Sequence, residues 1–126
     1  MSIPPKPRIL VADDQCLVAD MLVMILQQHG YETTAAYGGR LAVEKARQWR
    51  PGLFLSDVSM PEVDGMHAAI EIRAMLPECR ILLFSGDPSC MDLMQEARLQ
   101  GHNFEFLEKP IPATALLKRI RRLRAA

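Results

Sequence analysis

From residue 8 onward the chain alternates short, almost unbroken apolar runs with longer amphipathic segments. The runs fall at 9–12, 33–36, 53–55, 81–84 and 104–107, and the amphipathic segments at 15–29, 39–49, 63–75, 89–100 and 112–124. Runs without polar alternation suit strands covered on both faces, as in a parallel sheet with helices on each side. The pattern therefore predicts an α/β domain of five strand-then-helix rounds. Punctuation agrees with it. Gly30 stands where a C-terminal cap follows the first helix, and Pro51-Gly52 and Pro77 stop the second and third. In the last segment Leu116, Leu117, Ile120 and Leu123 share one face, while Lys118, Arg119, Arg121, Arg122 and Arg124 take the rest, as in a docked amphipathic helix. The stretch 31–36 is the least apolar strand and is expected at a sheet edge. Residues 1–7 are proline-rich and are expected to form an extended lead-in, since proline supplies no backbone donor; the domain is then 8–126.

Length and composition narrow the class. At 126 residues the chain has room for one domain, against a prior of about one per 150 residues. Apolar residues make up 49% and charged residues 24%, close to the globular average, which excludes disordered, collagen-like and coiled-coil classes. Fifteen basic against fifteen acidic side chains give zero formal net charge, so no global field draws the chain to nucleic acid or to an anionic membrane. The basic stretch 118–124 reads as a solvated helix face rather than a nucleic-acid site. Cys16, Cys79 and Cys90 are odd in number and widely spaced, and are expected to be reduced thiols packed as small hydrophobes. Met60, Met66, Met75, Met91 and Met94 read as core filler, and His29, His67 and His102 are too scattered to form a ligand cluster. No apolar run approaches the ~20 residues that span a bilayer, and the start lacks a signal-peptide pattern, so a cytoplasmic protein is expected.

Candidate chemistry sits where the apolar runs end. Asp13 and Asp14 follow the first run, Ser56 and Asp57 the third, Ser85 the fourth, and Lys109 the fifth. In a parallel sheet the carboxyl ends of the strands share one edge, and open α/β folds bind ligands in the crevice beyond it. Three carboxylates, a hydroxyl and an ammonium are thus expected to converge. Unit charges about 4 Å apart repel by about 4 kcal/mol at an effective dielectric near 20, so a cation is required. An all-oxygen donor set with no His or thiolate nearby selects Mg²⁺, with Mn²⁺ tolerated, over zinc. With charge neutralised by the ion and Lys109, and with Ser85 donating a hydrogen bond, one carboxylate can attack phosphorus. Asp57 is the candidate nucleophile, because it stands alone ahead of a turn-rich loop, 58–65, expected to keep it exposed. Asp13 and Asp14, as an adjacent pair, suit the metal.

Asp13-Asp14, the segment from Asp57 through Met60-Pro61 to Gly65, Ser85-Gly86 and Lys109-Pro110 together resemble the receiver domain of two-component response regulators. The resemblance covers residues 8 to 124 and rests on four separated motifs in the family's order. It implies a flavodoxin-like (βα)5 fold with a five-stranded parallel sheet of order 2-1-3-4-5, an arrangement for which a member of this family is a standard example. By position it makes Asp57 the phosphoacceptor, Asp14 and Asp57 direct Mg²⁺ ligands, Asp13 the holder of a metal-bound water, and the Ser59 backbone carbonyl a further ligand. Ser85 and Lys109 match the family's hydroxyl and lysine, with a cis bond before Pro110, and Ser85 and Phe106 match its switch pair. Ser59 and Asp87 match the positions that govern phosphoryl lifetime.

The family's phosphodonors are histidine kinases, His-containing phosphotransfer proteins and small molecules such as acetyl phosphate. The resemblance implies a phosphorelay switch rather than an enzyme acting on a separate substrate. Its helix 4–strand 5–helix 5 surface would engage a separate output protein, a missing output domain or a second copy in a homodimer, without touching nucleic acid or membrane itself. Two departures stand out. Phe106 lacks the tyrosine hydroxyl common at its position, leaving only steric rotation, and 101–106 is about one residue longer than the usual spacing, so the loop before the fifth strand is expected to be unusual. The alternatives are a receiver-fold interaction module that is never phosphorylated, which usually lacks an acid or the lysine, and a phosphohydrolase, which commonly has a second acid where Ser59 stands.

Overall fold

Side chains alternate along each strand, and that alternation sorts the apolar residues of the central strands onto two faces. The computed structural model describes residues 6–87 and 89–125, the side chain of Ala125 excepted. Its elements run β1 (Arg8–Ala12), α1 (Cys16–Gln28), β2 (Glu32–Ala36), α2 (Gly39–Trp49), β3 (Leu53–Asp57), α3 (Gly65–Met75), β4 (Arg80–Ser85), α4 (Cys90–Leu99), β5 (Glu105–Glu108) and α5 (Ala113–Ala125). The sheet is parallel throughout, in the order β2-β1-β3-β4-β5. Five strand–helix rounds and the flavodoxin-like order are as expected, with β2 at an edge. Of the lead-in, residues 1–5 lie outside the described residues.

Ile9 and Val11, Leu53 and Leu55, and Leu82 and Phe84 face a cluster closed by Leu26 of α1 and by Leu116, Leu117 and Ile120 of α5. The residues between them, Leu10, Phe54, Ile81 and Leu83, face the opposite cluster with Ala42 and Ala46 of α2, Ile72 of α3 and Met94 of α4. Two helices therefore cover one face of the sheet and three the other. No helix among the described residues is long and apolar enough to cross a membrane.

Two helix ends explain two glycines. After α1, Gly30 has φ 90°, its N–H donates to Gln27 O, and the next N–H, of Tyr31, donates to Leu26 O. After α4, Gly101 has φ 92°, with Gly101 N–H donating to Arg98 O and His102 N–H to Ala97 O. Each is a left-handed closure that satisfies carbonyls the helix leaves open. The second accounts for the long loop before β5. It turns the chain so that Phe104 is buried, stacked on His102 at 5.8 Å, ahead of the strand.

Four expectations need correction. The strand pattern 104–107 shifts to Glu105–Glu108, because Phe104 is spent on that loop packing. Strands β3 and β4 run on to Asp57 and Ser85, since the sheet ladder pairs these polar residues with Phe84 and Glu108. Cys79 and Cys90 are buried, but Cys16 is exposed at the start of α1 and is not core. Burial pushes the Cys79 thiol up to about 11, so it is an inert apolar filler. Met91 is exposed on α4 and fills no core.

The division between core and surface sets an expected outcome. Replacing fully buried Phe54 by Ala should cost about 3–5 kcal/mol in urea unfolding. Leu17→Ala, at a position 85% exposed, should stay within about 0.5 kcal/mol.

Candidate functional site

Strand order decides which acids meet. The chain leaves β1 toward β2 on one side and returns to β3 on the other, so β1 and β3 are neighbours whose connections diverge, and a crevice opens beyond their carboxyl ends. Ala12 pairs with Ser56, which sets Asp13 beside Asp57. One carboxylate oxygen from each of Asp13, Asp14 and Asp57 lies within 4.8 Å of the others.

Lys109 closes the cluster. Its N–H donates to Ser85 O at 2.9 Å, continuing the β4–β5 ladder one residue past the strand. Its Nζ lies 2.8 Å from Asp57 Oδ2 and 3.7 Å from Asp13 Oδ2, and 5.0 Å from the centre of the Phe84 ring. Asp57 Oδ1 accepts the backbone N–H of Ser59 at 3.0 Å. Asp57 is thus held at both oxygens. Its side chain is only 10% exposed, which corrects the expectation that the following loop leaves it open: the lysine and the turn back to Ser59 cover it.

Asp13 is fully buried, and its Oδ1 accepts the Gln15 N–H at 2.9 Å. Oδ2 has no hydrogen-bond partner among the described residues. Burial raises the Asp13 pKa above its ordinary value; the Gln15 N–H opposes this, Asp57 adds to it, Lys109 opposes it and Asp14 adds to it. A buried carboxylate oxygen without a partner, among acids that share one lysine, fits a hard divalent cation with oxygen ligands.

The loop from Val58 to Gly65 is folded tightly against the acid. Gly65 N–H donates to Val58 O at 2.9 Å, and Asp64 caps α3 by accepting the His67 N–H at 2.8 Å. A Cβ on Gly65 would be driven into the backbone oxygen of Asp57 and come within 2.8 Å of Ser56 Oγ. Glycine is needed here for close approach of the α3 start to the end of β3.

Asp13, Asp14, Asp57 and Lys109 therefore come together. Ser85 stands at the same edge, yet its hydroxyl accepts the Asp87 N–H at 3.0 Å and touches Cys90 Sγ at 3.1 Å. Among the described residues no hydrogen bond joins it to Asp57. Ser59 is exposed, while Asp87 accepts the Ser89 N–H at 3.0 Å, and this bond lowers its pKa. Phe106 is half-buried and lines a cavity of about 150 Å³ with Ser85, Met91 and Lys109. Lys109-Pro110 is cis, as the resemblance implied. Sequence reasoning missed Cys90, Phe84 and the contact role of Gly65. Gly65 carried a signal, a glycine just inside a helix start after a capping Asp, but nothing in the spacing pointed to Cys90.

Residues 9–121 match the family described as response regulator receiver domain. The chain is 33% identical over 118 residues to the chemotaxis protein CheY of Bacillus subtilis (strain 168), spanning 90% of this chain and 93% of that protein. It is 35% identical over 116 residues to the transcriptional regulatory protein PdtaR of Mycobacterium tuberculosis (strain ATCC 25618 / H37Rv), spanning 90% of this chain and 54% of that one. The chain thus spans about half the length of the transcriptional regulators it matches. Among solved structures it is similar to the Vibrio cholerae chemotaxis protein CheY4, with a TM-score of 0.83 and 30% identity over 94% of this chain and 99% of that one. A response regulator receiver protein from Pseudomonas putida gives a TM-score of 0.82 at 26% identity, over 95% and 99% of the two chains.

The burial of Asp13 and the tight fit at Gly65 can each be tested by stability. A carboxyl whose pKa is raised by folding stabilises the fold when protonated, and that contribution is lost as pH rises from its ordinary value through the folded one. In chelator, Asp13→Asn should therefore melt above the natural chain at neutral pH, and the difference should shrink as the pH falls toward about 4. Equal melting temperatures at neutral pH would contradict the burial strain. Gly65→Ala should destabilise by about 1–3 kcal/mol in urea, because the new methyl meets backbone that cannot yield.

Proposed function

The chain belongs to the response regulator receiver domain family, and on that premise we propose that Asp57 is its phosphoacceptor in a two-component phosphorelay. The observation that carries the reading is the Lys109 ammonium 2.8 Å from an Asp57 carboxylate whose neighbours are Asp13 and Asp14. Such a constellation has the parts phosphoryl transfer needs: a nucleophile held in place, and positive charge where the equatorial oxygens arrive. Mg²⁺, or Mn²⁺ in its place, would be held by Asp14, Asp57 and the Ser59 carbonyl, with Asp13 taking a bound water. When bound, the ion supplies neutralisation of the phosphoryl oxygens.

An Asp57 oxygen forms a bond to phosphorus as the bond from phosphorus to the donor breaks, releasing acetate from acetyl phosphate or a neutral imidazole from a phosphohistidine. Lys109, already paired with Asp57, moves its contact to a phosphoryl oxygen, and Ser85 turns its hydroxyl toward another. By their match to the family's positions, Ser59 and Asp87 govern the approach of water and hence the lifetime of the acyl phosphate. The chain acts on itself, as acceptor and as its own slow phosphatase.

A kinase or His-phosphotransfer protein delivers the phosphoryl group. Helix α1, which begins two residues after Asp14, offers it an apolar face, Leu17, Met21 and Met24, all more than half exposed. Output runs through α4, β5 and α5. Phosphorylation favours the arrangement in which Ser85 and Lys109 reach the phosphoryl group, and that difference in contacts biases the surface. Phe106 takes part by steric rotation toward the adjoining cavity. The partner is a separate output protein, an output domain outside this sequence or a second copy, and this domain itself contacts neither nucleic acid nor membrane.

Incubation with acetyl phosphate and Mg²⁺ should add one labile phosphoryl group by intact mass, absent with chelator and absent in Asp57→Ala. Lys109→Ala should still bind Mg²⁺ but lose coupling between phosphorylation and partner binding or dimerisation. A natural chain that gains no mass from acetyl phosphate or from any kinase tried would instead be a bare interaction module.

A further inference from the structure

Cys90, the first residue of α4, is 2% exposed, and its Sγ lies 3.1 Å from Ser85 Oγ and 3.5 Å from Ser59 Oγ. The thiol joins the loop after β3, which carries the acid's backbone partner, to the end of β4, which carries the hydroxyl. Ser85 Oγ also accepts the Asp87 N–H at 3.0 Å. A hydroxyl has one proton and two lone pairs, so these two contacts commit most of what Ser85 can offer toward α4. Asp57 meanwhile has its oxygens on Ser59 N–H and Lys109. With Ser85 as the donor to sulfur, its proton must leave Cys90 before it can reach a phosphoryl group on Asp57.

We propose that Cys90 is a positioning residue that holds the Ser85 hydroxyl in its resting place, so that the Ser85–Cys90 contact sets how readily the chain enters its phosphorylated arrangement. This rests on the phosphoacceptor reading above and adds a residue to it. A thiol is a weak hydrogen-bonding partner, which makes the hold modest and releasable; a stronger partner would oppose the switch more. Its link to Ser59 makes the same side chain feel the position that faces incoming water. The affinity of a ligand that binds only the active arrangement scales with the fraction of chains able to adopt it. Removing the hold should therefore tighten such a ligand.

The test is calorimetric titration of the full chain with beryllofluoride, a phosphoryl mimic, in Mg²⁺, with melting temperature as the folding control. Cys90→Ala should lower the dissociation constant by roughly two- to fivefold, the scale of one hydrogen bond. Cys90→Ser, whose hydroxyl is a stronger partner than the thiol, should raise the constant rather than lower it, and in a Ser85→Ala background Cys90→Ala should change nothing. An unchanged constant in Cys90→Ala, or the same change with Ser85→Ala, overturns the proposal and reduces Cys90 to packing. If Cys90→Ala is unfolded, Cys90→Val takes its place under the same criteria. A natural chain that binds no beryllofluoride sinks the phosphoacceptor reading itself, whereas binding that ignores Cys90 removes only the thiol.

Discussion

The ammonium of Lys109, set between Asp57 and Asp13, is the contact on which the site depends. Two of the three acids are buried, and a buried carboxylate without compensation costs several kcal/mol. One lysine cannot satisfy both, as the unpartnered Asp13 Oδ2 records. The rim is therefore left short of positive charge by construction. That shortage suits the rim to a divalent ion, and under the proposed phosphoacceptor role further phosphoryl charge would be a change the surrounding loops must answer.

The sheet exists, in functional terms, to hold this shortage together. Both of its faces are covered by helices, so the strands do not shift relative to one another without opening a core cluster. The loops at the carboxyl edge are pinned by single close contacts: Gly65 against the backbone of Asp57, and Lys109 N–H on Ser85 O. Rigid strands with loops tied at a few points are what the proposed switch would need, since such ties can be made or exchanged while the strands stay put.

The exchange has a direction. Ser85 is tied toward α4 through Cys90, and Lys109 follows β5 directly, so the two groups that would answer a phosphoryl group are also joined to the elements of the proposed output surface. The cavity beside Phe106 and Met91 lies between those elements and is where the proposed rotation of the ring would be accommodated. A small movement at the rim thereby has a route to α4 and β5 through contacts already present.

Local pattern carried much of this. The five strand–helix rounds, the helix-ending glycine at 30, and the placing of Asp13, Asp14, Asp57, Ser85 and Lys109 at strand ends are all legible in the order of residues, since periodicity and turn chemistry act over a few positions. Tertiary structure decided what depends on distant neighbours. Lys109 and Asp57 are 52 residues apart, and their bond exists because β1, β3, β4 and β5 lie side by side. The burial of Asp57, which a turn-rich loop alone would leave open, follows from that lysine and from the fold of the loop over it. Cys90 reads as filler along the chain because a thiol's partners are set by where two loops meet, and no spacing in one sequence encodes that meeting.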